Sequence, residues 1–353
     1  MAHSFHIHPA NSHLKWSNSL TPALTVASGS TVTFDLLDGG HNQIRPDNAS
    51  TALRDFDFSM TDPAFGPVFV EGAEPGDVLK VEFLSLEPGD YGWTAVFPGF
   101  GLLADDEDIK AVTPSLKIWD LTREGTVKSG GGGRRLAVFK DGTGGEGGKG
   151  GGGGGKIAVP VRPFLGVCGV APKEHGELST IPPYAMSGGN MDCRDLSTVG
   201  ATLYLPVNVP GALFSCGDGH AAQGDGEVCG TAIETPMKAR LKLTIEKKSL
   251  REGKGWALGC PHYVTPRRTR EEVEDEWDGD RGEYCALGVH EDVAEASRMA
   301  VRGVMDWLRA EKGLSRVEAY MLVSVAGKLR MSEVVDMPNY AVSCALPLGV
   351  FLD

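Results

Sequence analysis

The twelve residues from Asp218 to Cys229 contain three carboxylates, an imidazole, an amide and a thiol, spaced by glycines at 219, 224 and 226. Carboxylate oxygen and neutral imidazole nitrogen are ligands that a zinc-type cation takes, and a site with one open position can activate water. Glycine between such groups lets the backbone turn so that they converge. Three further clusters could join them: Asp38-Gly-Gly-His41-Asn-Gln43, Ser187-Gly-Gly-Asn190-Met-Asp192-Cys193-Arg194-Asp195, and Glu234, seven residues after Glu227 on the expected next strand. Asp192 precedes a strand expected at 202–209 and Asp218 follows it and its partner, a hairpin-like path that would bring both to one end.

Each cluster also has a plainer reading. Asp and Asn beside Gly commonly form turns by bonding their own backbone, and for Asp38, Asn190 and Asp225 taken singly this reading stands level with a functional one. His220 exceeds what a turn needs, which favours ligation or general-base work. Cys229 could act as a thiolate nucleophile if His220 lowered its pKa. Its neighbours Val228 and Ile233 instead suggest a buried strand holding an inert thiol. His3, His6, His8 and His13 could capture metal, yet His6-Ile7-His8 reads more simply as the outer side of a first strand.

The elements that must position these groups are mainly β. Residues 24–37 read as two short strands around Ser28-Gly29-Ser30, and 76–86 alternate with period two between the turn signals Glu74-Pro-Gly-Asp77 and Glu87-Pro-Gly-Asp90. Residues 202–209 and 239–245 alternate as well, with Pro206 and Pro210 predicting an edge or a bulge for the first. From Gly142 to Gly155, eleven of fourteen residues are glycine. Such a run reads as a flexible surface insertion, with Leu136–Phe139 as a strand inside it, and it lacks the order of a phosphate-binding loop. Residues 250–283 read as a solvated, charged excursion.

Near the C-terminus the period changes. Val293, Ala296, Ala300, Val304, Trp307 and Leu308 predict an amphipathic helix over 291–312 ended by Gly313, and Ser315-Arg-Val-Glu318 is a capping box opening a second helix. The expected fold is α+β and mainly β, antiparallel sandwich or barrel sheets with a C-terminal helix-containing part. The chain divides into an N-terminal β sandwich part (1–128), the glycine-rich insertion (129–156), a β part carrying the main motifs (157–250) and a C-terminal α/β part (251–353).

Composition bounds the partners. The 353 residues carry a net charge of -13, which argues against a nucleic-acid partner, since phosphate binding needs Lys and Arg. Seven cysteines without CxxC spacing and no signal-like leader fit a reduced, cytoplasmic setting, and no apolar run reaches the length of a membrane span.

Gly188-Gly-Asn-Met-Asp192, Thr202-Leu-Tyr-Leu-Pro206, Gly211-Ala-Leu-Phe214, the run from Gly217 to Glu234, Glu318-Ala-Tyr-Met-Leu322 and Ser332-Glu-Val-Val-Asp336 resemble the acetamidase/formamidase family. The resemblance runs from about Leu24 to Leu352. It implies hydrolysis of a short aliphatic amide to the acid and ammonia, a largely β fold with a C-terminal α/β part, a divalent metal, and a homo-oligomer of two or more copies. The insertion between Trp119 and Ile157 is longer than the family's usual connection, and His41 departs from the family pattern.

On that basis Asp192, Asp218 and His220 are the expected metal ligands, for zinc, with calcium as a possible second, structural ion. Glu227 is the expected base and later acid, with Glu234 in reserve for that role or as a further ligand. Gln43 or Asn190 would hold the substrate amide. Two other readings remain: a covalent amidase using Cys229, and a non-catalytic small-amide sensor. Formamide and acetamide differ by one methyl, worth only about 1–3 kcal/mol in a pocket. Trp93, Phe97 and Phe100 are candidates to line that pocket, with core packing equally plausible.

Overall fold

The computed structural model describes residues 5–111, 113–125, 134–140, 157–250, 258–266 and 281–351. Its frame is two sheets packed face to face. The larger has nine strands in the order Phe5–Ile7, Ser30–Leu36, Met237–Glu246, Val78–Pro88, Thr202–Pro206, His262–Val264, Glu283–His290, Tyr340–Pro347 and Lys328–Glu333. Only its first pair is parallel. The second sheet runs Gly188–Asn190, Phe164–Gly169, Phe214–His220, Ala64–Val70 and Ser12–His13, with Leu24–Val26 alongside Ala64–Val70. Phe34, Phe83 and Leu241 from one sheet meet Phe65, Cys168 and Phe214 from the other in a continuous buried core. The α+β, mainly β expectation holds.

The period-two segments become strands for the reason alternation predicts: Met237, Ala239, Leu241 and Leu243 are buried while Lys238 and Arg240 are exposed. The helices also form as expected. Val293–Lys312 ends at Gly313 in the left-handed conformation, and Arg316–Ala326 opens with Ser315 and Glu318 bonding each other's backbone amides. The first helix lies on Glu283–His290 and Tyr340–Pro347, where Trp307 stacks on Tyr284 at 3.9 Å between ring centroids. No helix among the described residues is long and apolar enough to cross a membrane.

Two expectations change. Thr202–Pro206 is an interior strand, because Pro206 is its last residue, where a missing N–H interrupts no further ladder. The stretch 250–283 is not wholly an excursion: His262–Val264 sits inside the large sheet, and the charged segments 251–257 and 267–280 lie outside the described residues. The strand expected at Leu136–Phe139 forms, within Arg134–Lys140, the middle strand of a small three-stranded sheet with Glu124–Gly125 and Ile157–Pro160. The glycine runs on either side of it lie outside the described residues, and the nine-stranded sheet takes strands from all three of the longer parts.

Candidate active site

The clusters converge through a strand that the sequence reading did not single out. Phe164–Gly169 pairs with Gly188–Asn190 on one side and Phe214–His220 on the other, so Asp192 and Asp218 meet across it. The strand at 202–206 belongs to the other sheet, and the expected hairpin-like path is replaced by this one. Gly166 faces both acids: a Cβ there would collide with Asp192 Oδ1 and Asp218 Oδ2. A Cβ at Gly39 would likewise meet Asp218 and Glu234. Glycine therefore lets carboxylates approach where any side chain would separate them.

His220 is the centre. Its Nε2 lies 2.9 Å from Asp218 Oδ2, 3.2 Å from Glu234 Oε2 and 4.0 Å from Glu227 Oε1, and its Nδ1 is 3.8 Å from Asp192 Oδ1. Gln223 orients the ring. The Gln223 Nε2 donates to Asp192 O at 2.8 Å and Ser332 O at 3.3 Å, so Oε1 faces His220 Nδ1 at 2.8 Å. A neutral ring therefore carries its proton on Nδ1 and leaves Nε2 as a lone-pair donor.

Among the described residues, four of the eight non-glycine residues with positive φ are acids of this site: Asp62, Asp192, Asp218 and Glu227. Such backbone costs on the order of 1–3 kcal/mol per residue and collects at functional sites. A cavity of about 100 Å³ opens over these groups. One wall is Asp62, Asn190, Asp192, Asp218, Glu227, Glu234 and Asp336, and the other is Phe56, Phe58, Trp93, Phe97 and Phe100. The three aromatics expected near the substrate thus do line it.

Electrostatics mark the acidic wall. Burial pushes Asp192 and Glu227 well above the usual carboxylate range, and the Asp336 and Asp192 charges respectively push them further. Burial raises Glu234 to about 7. Burial opposes charge on both Asp218 and His220, but their mutual attraction prevails, lowering the acid and raising the imidazole. No Lys or Arg is among the lining residues.

The donor set fits a divalent cation. Both oxygens of Asp192, Asp218 Oδ1 and Glu234 Oε2 are buried without a hydrogen-bond partner, and buried charge is ordinarily paired or metal-bound. Ligand atoms of Asp192, His220 and Glu227, and of Asp218, His220 and Glu234, lie within 4.8 Å of one another in each trio. These distances bring the predicted residues into one place.

Other predicted residues go elsewhere. Gln43 is not on the cavity: its amide donates to Asp57 O at 3.0 Å and accepts from Asp57 N–H at 2.8 Å, which consumes the groups expected to grip substrate. Asn190 does reach the cavity, with Nδ2 donating to Asp336 Oδ2 at 2.9 Å and Oδ1 unpartnered. Cys229 lies on a loop outside the cavity lining, its thiol donating to Thr231 O at 3.3 Å, and adjacent Val228 is 54% exposed, so the buried-strand expectation fails too. Asp62 and Asp336 were missed. Asp62 precedes Pro63 and reads as a turn former, and Asp336 stood in a quoted motif without any spacing signal.

The model of the acetamidase/formamidase family matches residues 1–176 and 173–353. The chain belongs to the acetamidase/formamidase family. It is accordingly a hydrolase of linear amide C–N bonds, yielding an acid and ammonia. It is 26% identical over 381 residues to a putative formamidase of Schizosaccharomyces pombe, covering 97% of this chain and 90% of that one. To a formamidase of Methylophilus methylotrophus it is 25% identical over 368 residues, covering 96% and 89%. The crystal structure of acetamidase from Bacillus halodurans superposes with a TM-score of 0.79 at 28% identity, covering 98% of each chain.

Proposed function

We propose that this family member hydrolyses formamide or acetamide in the cavity beside His220, with a divalent cation of the zinc type held by Asp192, Asp218 and His220. The observation that carries this reading is the group of unpartnered, buried carboxylate oxygens around one oriented imidazole, with no basic side chain on the cavity wall. When bound, such a cation lowers the pKa of water toward about 7 and polarises a carbonyl. Calcium at a second, structural position is compatible with the remaining carboxylates.

The chain's own residues supply the rest. Gln223 keeps the His220 Nδ1 proton in place, so Nε2 stays available as a ligand. Glu227 takes a proton from the attacking water and returns one to the departing nitrogen. Glu234, anchored by the Ala232 N–H at 2.8 Å, holds negative charge beside His220 and is a further ligand or the reserve base. Asn190 presents Oδ1 to the substrate NH2, since its own amide nitrogen is engaged by Asp336. The aromatic wall packs the acyl side and limits water.

The covalent route through Cys229 predicts the opposite response to reagents. Dialysis against a strong chelator should abolish ammonia release from both amides and zinc should restore it, while a thiol reagent leaves it intact. Full activity after metal analysis confirms a cation-free protein sinks the proposal. Binding of amides with no ammonia released would favour the sensor reading.

A further inference from the structure

Of the four histidines near the N-terminus, two meet an acid on the outer face of the larger sheet. His3 lies outside the described residues, and His13 belongs to the second sheet, where it bonds Ser215 Oγ. Phe5–Ile7 pairs parallel with Ser30–Leu36, so that His6 stands beside Thr33 and Ile7 beside Phe34. Ile7 is fully buried, so alternation turns His6 outward, and the extended backbone of His8 (φ -97°, ψ 161°) carries the alternation one residue further. The same rule on the neighbouring strand buries Val32, Phe34 and Leu36 and turns Asp35 outward. Two imidazoles and a carboxylate therefore leave the sheet on one side.

They also converge. His6 Nε2 lies 2.8 Å from Asp35 Oδ2, and the rings of His6 and His8 are 4.1 Å apart between centroids. One ligand atom from each of the three residues lies within 4.8 Å of the other two. An exposed His–Asp pair contributes little to stability and gives no reason for a second imidazole beside it. Two imidazoles and a carboxylate are instead a ligand set for zinc, nickel or copper, whereas magnesium and calcium take oxygen ligands. His6 and Asp35 are 32% and 36% exposed, which gives the cation an entry path and leaves water to complete its coordination. The proton shared by His6 Nε2 and Asp35 Oδ2 is what the cation displaces. Lys238 is the opposing charge, with Nζ 3.9 Å from Asp35 Oδ1. That distance is too long for a hydrogen bond, and it involves the oxygen that faces away from His6.

The position gives the site a use. Phe5–Ile7 is an edge strand of three residues with one buried side chain, so little else holds it in place. A cation joining His6 and His8 to Asp35 bridges this strand to its neighbour and stabilises the folded chain through its own binding.

We propose that His6, His8 and Asp35 form a zinc-type site that clamps the first strand to the sheet, apart from the cavity beside His220, whose lining includes none of them. Calorimetric titration of the full chain with zinc tests it, comparing native protein with the double variant His6→Ala, His8→Ala. The native chain should take up one more zinc ion than the variant, with a dissociation constant of about 10 µM or tighter. Because the readout is a difference between the two proteins, it holds whatever ion the cavity carries. Zinc at about ten times that constant should raise the folding equilibrium constant about tenfold more in the native chain than in the variant, read by denaturant unfolding. Lys238→Met, which removes the opposing charge, should tighten zinc binding about two- to fivefold. If circular dichroism shows the double variant unfolded, His8→Ala alone, at an exposed position, should weaken uptake at least tenfold. Equal uptake by the native chain and a folded variant overturns the proposal, as does native uptake at this site only at millimolar zinc, or magnesium bound there as tightly as zinc.

Discussion

Strand Met237–Glu246 and strand Phe214–His220 face each other across the sandwich and follow different rules. The first alternates buried apolar residues with exposed or half-exposed charged ones. The second is buried at every position although it holds Asp218 and His220, and it bends through a positive φ at Asp218. They touch where a Cβ at Gly219 would run into Met237. The large sheet gains stability from ordinary burial, and the small one tolerates buried charge and backbone strain that only a ligand or a reaction explains.

Breaking the chemical strand's surroundings should have the largest effect. Glu227→Gln removes a proton carrier without removing a predicted ligand, so turnover of formamide and acetamide should fall about 10²- to 10⁴-fold, read by ammonia release with metal content unchanged. Full activity in that variant would take Glu227 out of the mechanism. Leu241→Ala, on the structural strand, should cost about 2–5 kcal/mol in denaturant unfolding, because Leu241 is completely buried in the shared core. Its turnover per folded molecule should stay native; a drop there would show that the two sheets are less separate than their packing suggests.

The smallest effect is a pH response at the rim of the chemical sheet. His13 Nε2 bonds Ser215 Oγ at 2.8 Å, and burial lowers the His13 pKa to about 4. The unfolded chain titrates near 6.5, so it binds more protons between these values. Stability present above pH 6.5 is therefore lost as the pH falls toward 4. His13→Gln should flatten that loss by about 2 kcal/mol or less, measured as the difference between variant and native denaturant curves at pH 7 and pH 4.5. An unchanged slope would mean His13 is not the group responsible.

Much of this molecule was legible from periodicity. Residues 78–88, 237–246 and 293–312 carry patterns of two or 3.6 over many residues, and local propensity agrees with tertiary placement in each. Ser315 and Glu318 formed their capping box for the same local reason. His262–Val264 escaped notice because three residues between charged segments carry no measurable period. Gln43 misled because a glycine-flanked amide looks equally apt for substrate or for a neighbouring backbone, and only the position of Asp57 chooses.

For the site, the ligand types at 192, 218, 220, 227 and 234 were written in the chain, together with the glycines that permit close approach. Their meeting point was not. Asp62, Asp192 and Asp336 are separated from Asp218 by long stretches of chain, and no local rule relates them; pairing of Phe164–Gly169 with strands on both sides joins Asp192 to Asp218, pairing of Ala64–Val70 with Phe214–His220 brings Asp62 alongside, and the hydrogen bond from Asn190 ties in Asp336. The sequence alone determined the long periodic strands and helices and which chemistry its residues can perform, because those depend on nearby residues and on side-chain type. Tertiary structure alone decided which acids share one cavity, that Cys229 stays outside it and that an aromatic wall faces it, because burial and mutual repulsion arise only when distant strands pack together.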